Sequence, residues 1–528
     1  MRDFGRPGRS AVIAENGMAA TSHPLATASA VQTLRTGGNA VDAALAAAAV
    51  LAVVEPHMTG IGGDCFVILA EPDGPVHGLN GSGCAPAGAD AGWYRDQGIA
   101  EMPQTGPHSV TVPGAVKAWE TLARRFGTRG FDELFADAIR YARDGFAVHP
   151  RVARDWARYN VELAADEGAS KHYLANGAPP AAFSRFANPA LAATLQKIAT
   201  GGAAAFYEGE VAAEIAATVR QKGGFLTEAD LAGISADWVE PISTVYCDHE
   251  ILEIPPNGQG VTALIMLNLL SELGAGSADP DSAVRYHLLV EAGRLAYSVR
   301  DAFVGDPAAM RVDAERLLSG EFTRGLARQF RAERRNSGIV LPKVPTADTV
   351  YLTVVDRDRR AISFINSLYG GFGSKIVTPK SGVTLQNRGA CFTLEEGHTN
   401  ELRGGKRPLH TIIPAMAMKN GRPACSFGVM GGAYQPMGHA HLVSNMLDFG
   451  MDPQEAADHA RLFWGEDGVL EAEPGIGTAL RASLKAYGHT VRDAESPFGG
   501  AQVIAIDDES GFLIGGSDPR KDGLALGW

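Results

Sequence analysis

The run AALAAAAVLAVV, Ala43 to Val54, leaves the chain few choices. A helix that is apolar all round has no face to offer water, so it belongs in an interior. Twelve residues are too few to cross a bilayer. The preceding stretch, HPLATASAVQTLRTGGNA, places Pro24 in a first helical turn and Gly37-Gly38 at its end. Asn39 can then cap a second helix that stops before Pro56. Two apolar helices in tandem predict a helical layer packed on a sheet.

The rest of the chain supplies that sheet. GIGGDCFVILAEPDGPVHGLNG reads as a glycine cluster feeding a strand and a turn. Residues 113–148 and most of 150–240 read as helical, with a capping pattern from Thr227 to Asp230. ISTVYCD and HEILEIPP read as strands, VTALIMLNLLSEL as a helix, and DSAVRYHLLVEAGRLAYSVRDAFV as a long amphipathic helix. Residues 310–348 are polar and arginine-rich, an exposed helix followed by a loop. From Tyr351 the β signal is strong: VYLTVVD and AISFINSL form a hairpin. Strands are expected in SKIVTP, TIIPAMAMKNGRPACSFGVM and AQVIAIDDESGFLIGGSD, and helices in GHAHLVSNMLDFG, DPQEAADHARLFW and ALRASLKAYG. The class is α/β, with internal sheets covered by helices.

Charge and cysteine content narrow the function. A net charge of -13 without a long basic tract argues against nucleic acid. Five scattered cysteines without a CxxC fit reduced thiols and give no zinc site. No apolar segment follows the N-terminal arginines, so neither a secretory signal nor a membrane partner is expected and the location is read as cytoplasmic.

The stretch VPTADTVYLTVVD, Val344 to Asp356, carries the chemistry. A threonine at this junction can simply start a strand. Here, however, it follows an exposed loop, and Ser363 and Ser367 lie with matching parity on the returning strand. An internal Thr349 hydroxyl can attack the carbonyl of Asp348 and form an ester that water opens. The new chain then begins with Thr349, whose free α-amine can act as base on its own hydroxyl. The oxyanion needs preorganised N–H donors. SFGVMGGAYQPMG offers Gly431-Gly432, although a glycine pair after a strand is also an ordinary turn. YGGFGS, Tyr369 to Ser374, lacks the GK[ST] ending of a nucleotide loop.

The chain resembles the gamma-glutamyltranspeptidase family of N-terminal-nucleophile hydrolases. The likeness rests on NAVDAALAAAAVLAVVEPHMTGIGGD, VPGAVKAW, PNGQG, DTVYLTVVD, GKRPLHTIIPAMAM, GVMGG and GSDPRKDG. It implies a four-layer αββα sandwich and a precursor that cuts itself after Asp348. Residues 1–348 would be the large subunit and 349–528 the small one, both in one integrated body. It further implies Thr349 as nucleophile, Ser367 as the hydroxyl beside it, Gly431 and Gly432 as the oxyanion hole, and no metal or organic cofactor. Large and small subunits are the implied partners, with room for a higher homo-oligomer.

The glutamyl-binding pattern is altered. Ser82 in LNGSGCAP stands where the family's arginine holds the substrate carboxylate. Ala390 and Cys391 in QNRGACF stand where an acid holds its amine, and His410-Thr411 and Tyr369 replace the family's paired serines and asparagine. A zwitterion would be poorly compensated in such a pocket. DTVYLTVVD and GKRPLHTIIPAMA look closer to the oxamate amidohydrolase branch. A small amide-bearing carboxylate would then be gripped by Arg388, His410, Thr411 and Tyr369. Two alternatives stay open: a gamma-glutamyl hydrolase or transferase acting on glutathione, and an uncleaved binding protein. Arg407 is expected to brace its loop by an ion pair, and Asp518 and Arg520 to lock the C-terminal end. His439 and His441 are expected in packing or surface roles, not as metal ligands.

Overall fold

The computed structural model describes residues 8–339 and 348–528. Ala40–Val54 is a helix in which every residue is buried. Asn39 accepts from the Val41 and Asp42 N–H groups, and Asp42 reciprocates on the Asn39 N–H, closing a capping box. Beside it runs Pro24–Arg35, with its proline in the first turn. Both helices belong to one hydrophobic core with the strands Asp348–Val355 and Ala361–Tyr369.

Those two strands sit in the middle of a seven-stranded antiparallel sheet. Its order is Leu524–Gly527, Met18–Thr21, Asp348–Val355, Ala361–Tyr369, Asp64–Ala70, Val76–Gly81, Asp237–Val239. A second seven-stranded sheet runs Val12–Ala14, Leu513–Ser517, Gly500–Ile506, Arg422–Met430, Ala415–Lys419, His249–Glu253, Ile242–Tyr246. The sheets pack face to face. Thr353 donates to Ser426 across the gap at 2.6 Å, and Ser363 accepts from the Ala415 N–H at 3.0 Å. Gly428 is glycine because the Tyr351 ring lies on it: a Cβ there would stand 2.4 Å from the ring. On the outer face of the second sheet lie the helices Gly260–Glu272, Ala283–Phe303 and Gln435–Leu447, which complete a second core. The result is a four-layer αββα sandwich. Strands from before and after residue 348 mix in both of these sheets, so neither segment builds a layer of the sandwich alone.

Several sequence expectations are corrected. The β-structure starts at Asp348, not Tyr351, because Asp348 pairs with Tyr369. SKIVTP makes only the single bridge Val377–Thr384. DPQEAADHARLFW is helical only over Pro453–Asp458, and Leu462–Trp464 is a strand. The helix Ala283–Phe303 is not amphipathic toward water: Arg285, His287, Glu291 and Arg294 are buried. Arg285 donates to Ser444 and Asn445 at 3.0 and 2.8 Å, and Arg294 pairs with Glu291 at 2.7 Å. Periodicity reveals a polar stripe, not what covers it. Part of the loop expected before Thr349 falls on residues 340–347, outside the described residues.

Candidate active site

The register of the central hairpin slips between Asp348 and Val350, so Thr349 sits in a bulge at the strand's start. Its hydroxyl lies 3.1 Å from that of Ser367 on the return strand. The Ser367 hydroxyl also accepts from the Tyr369 N–H at 2.8 Å and from Arg388 Nη2 at 3.3 Å. Tyr369 ends that strand at φ +78°, a left-handed conformation unusual for a tyrosine. The corner is tight because glycines let backbones meet: a Cβ on Gly63 would stand 2.2 Å from the Ser367 carbonyl oxygen.

Arg388 lies beside this pair, fully buried. Its Nη1 donates to Thr411 Oγ1 at 2.7 Å, and its guanidinium sits over the Tyr369 ring, 4.4 Å from the centroid. Among the described residues no carboxylate pairs with it, and its Nε has no partner. A buried guanidinium with donors to spare has the chemistry to pair with an anion. Thr349, Ser367, Tyr369, Arg388 and Thr411 are thus brought together.

Ser82 and His410 are placed differently. The Ser82 hydroxyl donates to Asn80 at 2.8 Å and accepts from Asn257 at 3.1 Å. His410 Nε2 donates to Asp64 at 3.0 Å, leaving its other nitrogen to accept weakly from the Ile412 N–H at 3.4 Å. Burial, and then the nearby Arg388 charge, push the His410 pKa down to about 4. A neutral imidazole with both nitrogens engaged supports the wall, with no atom left over for a ligand. Asp64 also accepts from Gly83 N, Gly114 N and Gln386 Nε2 at 3.0, 3.1 and 2.8 Å.

Gly431 and Gly432, at φ +123° and +57°, link the strand Arg422–Met430 to the helix Gln435–Leu447. Gln259 Nε2 donates to the carbonyls of Thr411 and Gly432, at 2.7 and 3.0 Å, so the glycine pair and the anion-binding corner share one support. Asp64, Asn257 and Gln259 were not assigned roles from sequence. The motifs GIGGD and PNGQG contain them, but a motif does not say which carbonyl an amide will reach.

The other polar groups are structural. Arg407 pairs with Asp237 at 2.7 Å and donates to the Ser82 carbonyl at 3.1 Å. His439 is buried, 2.7 Å from Glu253, and accepts from the Val429 N–H at 3.0 Å. His441 lies 3.2 Å from His459. His287, Glu291 and His489 cluster closely enough for a cation, yet His287 and His489 bond to each other at 2.9 Å and Arg294 holds Glu291. Among the described residues no helix is long and apolar enough to cross a membrane.

A buried threonine hydroxyl on a bulged strand, between two face-to-face sheets each backed by helices, fits the fold of the N-terminal-nucleophile hydrolases. The gamma-glutamyltranspeptidase family model matches residues 26–528, and the chain belongs to that family, whose members are self-processing amide hydrolases and transferases. The glutathione hydrolase-like YwrD proenzyme of Bacillus subtilis is 36% identical over 98% of this chain and 99% of its own. The oxamate amidohydrolase proenzyme of Klebsiella pneumoniae is likewise 36% identical, over 98% and 99%. Several glutathione hydrolases follow at 29–30%. The crystal structure of cephalosporin acylase from Bacillus halodurans superposes with a TM-score of 0.93 at 38% identity, covering 100% of this chain and 99% of that one.

Proposed function

We propose that the chain cuts itself between Asp348 and Thr349 and then hydrolyses an amide whose acyl group carries a carboxylate. The observation that carries this is the buried Arg388, without a carboxylate partner among the described residues, within hydrogen-bond reach of Ser367, which in turn touches Thr349. In the unbroken chain Thr349 is fully buried, so the event that frees its amine also has to open the pocket. The freed amine takes the hydroxyl proton as Oγ1 attacks the substrate carbonyl carbon. The carbonyl electron pair moves to oxygen, where the Gly431 and Gly432 N–H groups stabilise it. Collapse breaks the C–N bond, the amine leaves with the proton, and water cleaves the ester. Ser367 donates to the Thr349 oxygen, while Arg388, Tyr369 and Thr411 hold the carboxylate.

For the acyl group, a gamma-glutamyl compound such as glutathione has the wider support among relatives, since that name recurs among them at 36%, 30% and 29% identity. The second reading is a small oxamate-like substrate. It is favoured by the side chains: Ser82 and Ala390 offer neither the cation nor the anion that a glutamyl zwitterion needs. Ammonia release from oxamate, set against glutamate release from glutathione, decides between them. The nucleophile is tested by Thr349→Ala, which should give one full-length band on a denaturing gel and no turnover of either substrate. A cleaved or active variant would remove Thr349 from the mechanism.

A further inference from the structure

We infer that Gln259 and Tyr297 are positioning residues that hold the turn Gly431 to Tyr434, and with it the Gly432 N–H of the oxyanion hole, by fixing the carbonyls of Gly432 and Ala433. The inference rests on the reading of Thr349 as nucleophile. Two adjacent glycines have the freest backbone in the chain, and a hole built from them is useful only if something else fixes their peptide planes. Here three successive carbonyls are held. Gly431 O accepts from the Tyr434 N–H at 3.0 Å, Gly432 O from Gln259 Nε2 at 3.0 Å, and Ala433 O from the Tyr297 hydroxyl. A trans peptide sets the N–H of one residue opposite the carbonyl of the residue before it, so the Gly431 carbonyl sets the Gly432 N–H; Tyr297, on the Ala433 carbonyl, fixes the Tyr434 N–H that holds the Gly431 carbonyl, and Gln259 fixes the peptide between them. Among the described residues the Gly431 and Gly432 N–H groups have no backbone acceptor.

Gln259 is itself locked. Fully buried, its amide faces two carbonyls, which require its NH2, and Arg300 Nη1 at 3.0 Å, which requires its oxygen. Only one amide orientation satisfies all three. Arg300 lies over the Tyr297 ring, 4.5 Å from its centroid, so both supports are braced against one another. Because Gln259 also holds the Thr411 carbonyl, it fixes the distance between the oxyanion donors and the Arg388 corner.

The test uses p-nitrophenyl acetate, which carries no carboxylate for Arg388 to bind and needs only nucleophile and oxyanion hole. Attack by Thr349 Oγ1 forms the acetyl ester and expels p-nitrophenolate. Release is followed by absorbance, and the acetyl group is located by mass spectrometry. Gln259→Leu and Gln259→Glu should each slow acetylation of Thr349 by about 10²-fold, the size of losing or misplacing oxyanion donors. A protonated carboxyl regains one donor. The Gln259→Glu rate relative to the unsubstituted protein should therefore rise as pH falls, while that of Gln259→Leu stays flat. Tyr297→Phe, which removes one hydroxyl and keeps the ring, should slow the step several-fold and carries the test if the Gln259 variants do not fold. Folded, cleaved variants that acetylate Thr349 at the unsubstituted rate would overturn the inference. Unsubstituted protein whose Thr349 takes no acetyl group would overturn the nucleophile reading beneath it.

Discussion

Two buried arginine clusters in this protein are built on opposite plans. Near the C-terminus, Arg461 pairs with Asp518 at 2.7 Å, and Arg520 meets Asp518 at 3.1 Å and Glu473 at 2.7 Å. Two cations face two anions, and the arginines hold the Asp518 carboxyl down at about 2 against the upward push of burial. Beside Thr349, Arg388 is fully buried and, among the described residues, has only hydroxyls, a thiol and a ring face for company. A paired cluster ties distant segments together, here the strand Leu513–Ser517 to the segment around Leu470–Ala472. An unpaired one destabilises the resting protein until an anion arrives. On the proposed function, the contrast separates a charge that serves the fold from one kept for a ligand.

That contrast can be broken by matched substitutions. Arg520→Met leaves Glu473 and Asp518 short of a buried partner and should cost about 3–5 kcal/mol of unfolding free energy. Its effect on kcat/KM of the folded fraction should be small. Arg388→Met should do the reverse, lowering kcat/KM by about 10²-fold while leaving the denaturation midpoint within about 1 kcal/mol of its starting value. Equal stability losses in the two variants, read by urea titration, would erase the distinction.

A smaller effect sharpens it. Oxalate, a compact dicarboxylate, should raise the melting temperature of the cleaved protein, by as much as about 2.7 kcal/mol of added stability at a hundredfold excess over Kd. Arg388→Met should abolish the rise and Arg520→Met should keep it. A rise that survives Arg388→Met would place the anion elsewhere.

The smallest effect concerns pH. His410 has a folded pKa pushed down to about 4, below the ordinary imidazole value of about 6.5, so the unfolded chain binds the extra proton first as pH falls. Its stabilising contribution is therefore whole above about pH 6.5 and declines toward pH 4, by at most about 1.4 kcal/mol per pH unit. His489, pushed to about 3 by burial and the neighbouring His287, acts with the same sign. His410→Asn should flatten part of the slope of stability against pH in that window; an unchanged slope would mean that His410 is not held neutral.

Much of the fold was legible because its signals are local. The alanine-rich run, the Asn39 cap, Pro24 and the hairpin around DRDR each act within a few residues, and each appears where expected, save that the first strand starts three residues early. The meeting of Thr349 and Ser367 was legible for a related reason: they lie on two strands joined by one short turn, so strand parity already put them near each other. His410 shows the limit. Its place beside Thr411 suggested a ligand contact, but Asp64, 346 positions away, takes its free N–H.

What the sequence by itself determined is the helical layers, the hairpin and the presence of a hydroxyl at the head of a strand, since backbone propensity and side-chain period are set by neighbours along the chain. What only the tertiary structure decided is which charges are matched. Arg388 and Arg520 are the same residue type, and they differ in what the fold brings within 4 Å: hydroxyls of Ser367 and Thr411 for one, and Glu473, 47 positions away, beside Asp518 for the other. Electrostatic energy in a low-dielectric interior depends on that spatial company, and residue order does not encode it in any local pattern.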